Sequence, residues 1–322
     1  MIGGALCLIA ATFLWSTDLF FRYDLLTFLD PVSLVFLEHL IILVVLCPVF
    51  LSCLIPLFKV NRKTIFAVLF IGVGGSAIGT VAFSYAFGQL NPVVPIVLQK
   101  LQPFVAIVGA ELILREKHPK YFYILALIAI VGAVLLSEPY LTDFVSCVQD
   151  MPSCLSAASA HPLRTGDPSG FSTGGAVGSA LIAVFCWGLS TVLGRLVSAK
   201  IQPRDITFLR IFFGFLTLFL WLIWLGTYSN MANFVAHLAK EPVVGIKLLY
   251  MALVIGLLGL VFYYQGIKRI PAKLATLLEL FYPVFSLILA MVFLHQSLNW
   301  IQILGMGLII LPSSLCTLRG FK

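Results

Sequence analysis

The sequence predicts an all-α integral membrane protein whose ten transmembrane helices form two inverted five-helix repeats. Three observations lead to this prediction: the composition, the number of apolar stretches and a similarity between the two halves of the chain. The 322 residues are 61% hydrophobic and only 10% charged, with a mean hydropathy of +1.09. Soluble domains carry about 25% charged residues because their surface faces water. The composition therefore excludes a soluble fold.

Ten apolar stretches are long enough to cross a bilayer, which takes roughly 20 helical residues. Only Gln89–Leu90–Asn91–Pro92 separates the third stretch from the fourth, and Asn-Pro favours a turn, so these two are predicted to form a tight helical hairpin. The ten stretches lie at about 2–20, 32–56, 65–88, 93–114, 121–138, 175–194, 206–226, 244–266, 272–294 and 300–318.

The loops between these stretches predict the orientation of the chain. If the N-terminus is cytoplasmic, fourteen of the 20 Lys and Arg residues fall in inner loops or the C-terminal tail. Basic residues concentrate on the cytoplasmic side of membrane proteins. We therefore expect a multi-pass protein of a bacterial inner membrane with both termini cytoplasmic, and no nucleic-acid partner. The four basic residues assigned to outer loops are Arg22, Arg164, Lys240 and Lys247.

A polar segment divides the chain into two halves. Residues 139–174 are rich in Ser, Gly, Pro and Asp, which is typical of a flexible linker. We expect this linker to be extracytoplasmic, between a first repeat at 1–138 and a second at 175–322. It contains Cys147 and Cys154, and spacing alone leaves a disulfide between them open.

The two halves resemble each other in register. Trp15–Ser16 corresponds to Trp187–Gly188, and Pro31 corresponds to Pro203, both at an offset of 172 residues. Later in the repeat the offset is 180, which relates three pairs: Pro103 and Pro283, Gln99 and Glu279, and Phe83 and Tyr263. Because each half has five spans, the two copies insert with opposite orientation. Inverted repeats are recurrent in secondary transporters, with the substrate site at the repeat interface.

On these residues the chain resembles the EamA-type members of the drug/metabolite transporter superfamily. The resemblance covers the whole chain except the linker and rests on Trp followed by Ser or Gly in the first helix of each repeat, on Pro203 to Arg210, and on Pro103 to Glu116. Glu38 replaces the usual Arg in the first repeat, and Gln296 replaces the usual Glu in the second. The resemblance implies a carrier with alternating access and leaves its substrate open.

Charged residues inside the predicted spans point to a binding site. A charge at mid-bilayer costs roughly 3 kcal/mol or more unless it is paired or faces water. Lys100, beside Gln99 and before the helix-bending Pro103, is interpreted as engaging an anionic group. Glu279, before Pro283, is interpreted as engaging a cationic group or a proton. The alternative is that Lys100 and Glu279 form a buried structural pair between the repeats.

Other polar residues have less specific interpretations. Glu38 and Arg210 occupy equivalent positions with opposite charge, which predicts an ion pair that is either a gate or a structural lock. His39 is either a proton relay or a hydrogen-bonded packing residue. Asp18 is interpreted as a solvated residue at the rim of the first span, and Glu116 as a salt-bridge partner in a loop.

Aromatic residues make up 13% of the chain and supply candidate cavity walls. Trp15, Tyr263 and Tyr264 are predicted to contact a planar or amphipathic ligand by stacking or cation–π interaction. The alternative is that they face lipid or lie at the membrane interface, as aromatic residues of membrane proteins often do.

These features predict a secondary transporter of a small polar metabolite, most simply an amino acid or an amino-acid derivative. Within the resembled family, an exchanger of S-adenosylmethionine and S-adenosylhomocysteine is the alternative. A channel or an intramembrane enzyme is disfavoured, because the sequence has no catalytic, Walker or metal-binding motif. We expect no cofactor, and the small-molecule solute and the lipid bilayer as partners. Proton coupling or uncoupled exchange, and monomer or homodimer, remain open.

Overall fold

The computed structural model describes residues 1–89, 95, 98–117, 119–136, 173–226, 234, 238, 241–295 and 298–319. These residues are helical with short connections and contain no strand, so the predicted all-α class is confirmed. The predicted turn at Leu90–Asn91–Pro92, almost all of the linker with its two cysteines, and Gln296 lie outside the described residues.

Fifteen α-helices are described. Those of the first half are α1 Ile2–Ser16, α2 Leu19–Leu25, α3 Pro31–Leu46, α4 Phe50–Leu54, α5 Arg62–Phe70, α6 Gly79–Gln89, α7 Gln102–Ile113 and α8 Lys120–Leu136. Those of the second half are α9 Thr173–Ser198, α10 Pro203–Leu225, α11 Pro242–Tyr250, α12 Gly259–Ile267, α13 Ala272–Glu279, α14 Phe281–Leu294 and α15 Trp300–Arg319.

The helices agree with the predicted membrane spans. Within the described ranges, eight continuous helical segments are long and apolar enough to cross a membrane, and α7 and α8 are shorter apolar helices. Each of the ten predicted stretches overlaps one of these segments. The second stretch was predicted to reach residue 56, but α3 ends at Leu46 and 3₁₀ segments follow at Cys47–Val49 and Ile55–Lys59. Pro48 and Pro56 lie in those segments and lack the amide hydrogen that an α-helix needs.

Two π-helical segments occupy equivalent positions in the halves. Ile71–Ile78 joins α5 to α6, and Met251–Leu258 joins α11 to α12, at the same 180-residue offset as the repeat. A π segment widens the helix and turns its side chains relative to a regular α-helix, and such segments occur often at functional sites. Both segments contribute residues to the central cavity described below.

The helix contacts also follow the repeat. Helix α1 packs against α12, and its counterpart α9 packs against α6. Helix α3 packs against the second π segment, and its counterpart α10 packs against the first. The pairs α3–α10 and α8–α15 each join equivalent helices of the two halves. Exchanging the halves therefore reproduces the same packing, as expected for inverted repeats around a pseudo-twofold axis.

Candidate solute-binding cavity

A cavity lies between the two halves of the bundle. Its volume accessible to the centres of water molecules is about 220 Å³. Residues of both repeats line it, from helices that include α1, α3, α9, α10 and α13. Three acidic and three basic side chains of the described residues face it: Asp18, Glu38, Glu279, Arg22, Lys100 and Arg210. The formal charge of these six groups is balanced.

Helix breaks before two prolines position the central polar groups. The chain forms a turn at Lys100–Leu101 just before α7, and another at Leu280 between α13 and α14. Pro103 and Pro283 lie in the first turns of the helices that follow, where no amide hydrogen is needed. The predicted proline-associated bends are confirmed. Because the helices break there, Gln99, Lys100 and Glu279 all reach the cavity.

Glu279 is held by three neutral donors from three other helices. The Gln102 side-chain amide donates to Oε2 at 2.6 Å. The hydroxyls of Thr191 and Tyr263 lie 3.1 Å from Oε1 and donate to it. The carboxylate thereby joins α13 to α7, α9 and α12. Sequence reasoning missed Gln102 and Thr191, because a neutral polar residue in an apolar span gives no charge signal.

Lys100 is buried in the cavity wall, with 4% of its surface exposed. Its Nζ lies 5.8 Å from the centre of the Tyr282 ring, which is a cation–π contact. It forms no ion pair with any residue that the structure describes. Lys100 and Glu279 therefore line one cavity without forming the structural pair that was the alternative. Their role in solute binding stays a prediction.

The predicted ion pair between Glu38 and Arg210 is wrong for this structure. Glu38 Oε1 lies 3.3 Å from Nη1 of Arg22. Arg210 instead donates to the Tyr264 hydroxyl and to the carbonyl of Gly75, each at 3.2 Å. The physical reason is that α2 places the guanidinium group of Arg22 against Glu38, so that Arg22 neutralises this carboxylate in place of Arg210.

Asp18 and Arg22 are cavity residues, contrary to their predicted places at a solvated rim and in an outer loop. Asp18 Oδ2 lies 2.6 Å from Nε of Arg22, and Arg22 Nη1 donates to the Ser84 hydroxyl at 3.1 Å. Arg22 is only 7% exposed. The four-residue spacing of Asp18 and Arg22, which suits a helical ion pair, was the available signal.

His39 is a packing residue here. Its Nδ1 lies 2.7 Å from the carbonyl oxygen of Val35, so Nδ1 carries the hydrogen. Its Nε2 therefore accepts from the Ser76 hydroxyl at 2.8 Å. Both ring nitrogens are engaged, which favours the hydrogen-bonded interpretation over a proton relay.

Two aromatic pairs form matching walls. The rings of Trp15 and Tyr263 are 5.2 Å apart at 45°, and those of Trp187 and Phe83 are 5.1 Å apart at 46°. All four side chains line the cavity and are related by the repeat. Tyr264 does not line it, contrary to prediction. One residue further along the helix turns the side chain by about 100°, and Tyr264 is fully buried beside Arg210.

Glu116 anchors α13, and it forms no salt bridge with any residue of the described ranges. Its carboxylate accepts from the amides of Ala272 at 3.0 Å and Lys273 at 3.3 Å, at the first turn of α13. A negative charge is favourable at a helix N-terminus. Because Glu279 is at the other end of α13, this cap helps to fix its position in the cavity.

A bundle of membrane-spanning helices around a polar, charge-balanced cavity defines a multi-pass membrane transporter. The chain belongs to the EamA-like transporter family, whose sequence profile matches residues 2–138 and 175–317. It is 26% identical over 315 residues to the riboflavin transporter ImpX of Fusobacterium nucleatum subsp. nucleatum, covering 96% of each chain. A crystal structure with 16% sequence identity shares the fold, with a TM-score of 0.66 over 98% of this chain and 96% of the other. The expected superfamily and the transporter class are confirmed.

Proposed function

We propose that this protein is a carrier for a planar, uncharged aromatic metabolite of the riboflavin type. The observation that carries this proposal is the pair of matching aromatic walls, Trp15 with Tyr263 and Trp187 with Phe83. Aromatic rings 4.5–7 Å apart attract each other in tilted or offset arrangements, roughly 0.5–1.5 kcal/mol beyond their area burial. A flat solute ring extends this contact to both halves of the cavity at once.

The polar lining also favours an uncharged solute. Three acidic and three basic side chains face the cavity, so there is no surplus of positive charge for a phosphate group. Several buried atoms lack a hydrogen-bond partner: Gln99 Oε1, Ser190 Oγ, Thr276 Oγ1 and Arg210 Nε. Such atoms suit a solute with hydroxyl and carbonyl groups, since burying them unpaired costs roughly 1–3 kcal/mol each. Riboflavin presents both kinds of group.

The named relative adds independent support. Its 26% identity extends over nearly the full length of both chains, so the similarity covers both repeats. The name of that protein gives riboflavin as its substrate. We extend the substrate class to this chain as part of the proposal.

An amino acid or an amino-acid derivative, including S-adenosylmethionine, is the second candidate. Lys100, which has no ion-pair partner among the described residues, favours a solute carboxylate. The ammonium group would then face Glu279, as the sequence predicted. However, the two oxygens of Glu279 already accept three hydrogen bonds. Riboflavin requires no free carboxylate in the site.

Flavin fluorescence tests the proposal directly, because stacking against tryptophan quenches it. We expect purified protein to quench riboflavin saturably, and replacement of both Trp15 and Trp187 by phenylalanine to remove most of the quenching. Trp300 provides the matched control, because it is 72% exposed on the surface of the helix bundle and does not line the cavity. Trp300→Phe should leave the titration unchanged.

The same titration separates the two candidate substrates. Unlabelled riboflavin should displace the bound flavin, while its phosphate ester should compete at least about tenfold less well, since one uncompensated charge costs more than 1.4 kcal/mol. Amino acids and S-adenosylmethionine should not compete. Absence of riboflavin binding together with binding of an amino acid in a thermal-shift assay would support the second candidate and contradict the first.

We also propose a bacterial inner-membrane location with both termini in the cytoplasm, and repeat limits of 1–138 and 175–322 joined by an extracytoplasmic linker at 139–174. The support is the distribution of basic residues, fourteen on the inner side against four on the outer side. Arg22 is now placed in the cavity, which leaves three on the outer side and makes the asymmetry stronger.

A further inference from the structure

Two carboxylates in the cavity share one guanidinium group. Asp18 Oδ2 lies 2.6 Å from Arg22 Nε, and Glu38 Oε1 lies 3.3 Å from Arg22 Nη1. The side chains of Arg22 and Glu38 are 8% and 10% exposed, and that of Asp18 is 17% exposed. We call these three residues the carboxylate cluster.

The carboxylate cluster has one negative charge more than its arginine balances. Asp18 Oδ1 and Glu38 Oε1 are buried and accept no hydrogen bond of good geometry. An uncompensated charge in such a place costs several kcal/mol. One small cation would therefore neutralise the excess negative charge of the cluster and interact with its unpaired oxygens.

Among the residues that the structure describes, the charged and titratable groups around the cluster do not supply that cation. From α3, His39 has both ring nitrogens engaged. From α14, Tyr282 is a phenol and contributes no positive charge. Lys100 lies over the Tyr282 ring, outside ion-pair distance of both carboxylates. From α10, Arg210 is bonded to Tyr264 and Gly75.

We propose that the carboxylate cluster binds one proton, on Glu38, and couples its movement to that of the solute. This inference rests on the proposed function, because an uncharged solute brings no cation of its own. Glu38 is the proton acceptor, since its contact with Arg22 is longer than that of Asp18. Protonation leaves a one-to-one pair of Asp18 with Arg22 and gives Glu38 an O–H group.

The proton is taken up and released without any other reactant. It leaves a water molecule on the side to which the cavity is open and bonds to a Glu38 oxygen. After the cavity opens to the other side, that O–H bond breaks and the proton returns to water. A neutral solute does not compete with the proton for Glu38, so both occupy the cavity together. They move in the same direction, with one positive charge per solute.

Infrared difference spectroscopy of reconstituted protein tests the proton site without any solute. Acidification should produce the carbonyl stretching band of a protonated carboxylic acid, and Glu38→Gln should abolish that component. The matched control is Asp24→Asn. Asp24 is on the same helix as Arg22 but pairs one-to-one with Lys247 and does not line the cavity. An unchanged band in Glu38→Gln would overturn the proposal.

A flux measurement tests the coupling. In proteoliposomes, an acid-outside gradient should make wild type and Asp24→Asn accumulate riboflavin several-fold above equilibrium. Glu38→Gln should lose this accumulation, and whatever riboflavin counterflow the variant retains should no longer depend on pH. A merely structural Glu38 would leave the remaining counterflow as pH-dependent as in wild type. Accumulation retained in Glu38→Gln, or a wild type that exchanges riboflavin without responding to the gradient, would contradict coupling. A wild type without riboflavin flux would contradict the proposed function instead, and the infrared result would still decide the proton site.

Discussion

Replacing Lys100 by methionine is expected to weaken solute binding about ten- to hundred-fold while raising the thermal stability of the solute-free protein. Lys100 is 4% exposed and has no ion-pair partner among the described residues. Removing an unpaired buried charge takes away its desolvation cost. In the proposed solute complex, however, we expect the same ammonium to donate to a carbonyl or hydroxyl oxygen of the solute, and such a bond is worth about 1.5–3 kcal/mol. A tenfold change in affinity corresponds to about 1.4 kcal/mol.

Lys273 provides the matched control for this variant. It is also fully buried, but its Nζ lies 2.8 Å from the Tyr123 hydroxyl and 3.6 Å from Glu111, outside the cavity. Lys273→Met should therefore lower stability and leave solute affinity unchanged, the reverse of Lys100→Met. Thermal denaturation and flavin titration of both variants give the comparison. Loss of stability with full affinity in Lys100→Met would show that Lys100 is a structural residue.

Replacing Glu279 by glutamine is expected to reduce solute flux about hundredfold or more and to lower stability. The carboxylate accepts three hydrogen bonds with two oxygens. Glutamine places an NH₂ group where one of those oxygens was, so that two donors face each other. Each lost bond to a charged group costs about 1.5–3 kcal/mol, and the loss loosens α13 from α7, α9 and α12.

Two further variants make the Glu279 result specific. Glu279→Asp keeps the charge and should retain more flux than Glu279→Gln. Glu111→Gln changes a carboxylate that is half exposed, lies 3.6 Å from Lys273 and does not line the cavity, so it should have a small effect on flux. Flux in proteoliposomes and the melting temperature should be measured for all three. Wild-type flux in Glu279→Gln would contradict a role for this group in the transport cycle.

Much of the fold follows from the sequence because hydropathy acts over whole helices. Long apolar stretches avoid water by spanning the membrane as helices, which explains why eight long and two shorter apolar helices lie where the ten spans are predicted. The repeat register also agrees with the structure, because Trp15 aligns with Trp187 and Pro103 aligns with Pro283 by identity alone. The second of these offsets, 180 residues, places Phe83 and Tyr263 in equivalent positions, and the structure pairs each with the tryptophan of the other half.

The candidate site is less predictable, because it depends on where short segments fold. Arg22 follows the first apolar stretch and therefore looks like a loop residue, yet α2 places it against Glu38. Tyr263 and Tyr264 are indistinguishable by composition, and only the helix rotation separates the cavity residue from the buried one. Local charge counting cannot resolve either case, since both depend on tertiary contacts.

Counterflow in proteoliposomes tests the central claim, that this protein is a carrier with a riboflavin-type solute in the cavity between its repeats. Vesicles loaded with unlabelled riboflavin should take up labelled riboflavin transiently above equilibrium, at a rate that saturates with concentration, and Lys100→Met should raise the half-saturating concentration. Protein-free vesicles give the background. A rate that rises without saturation and shows no transient accumulation would indicate a channel and would contradict the carrier assignment.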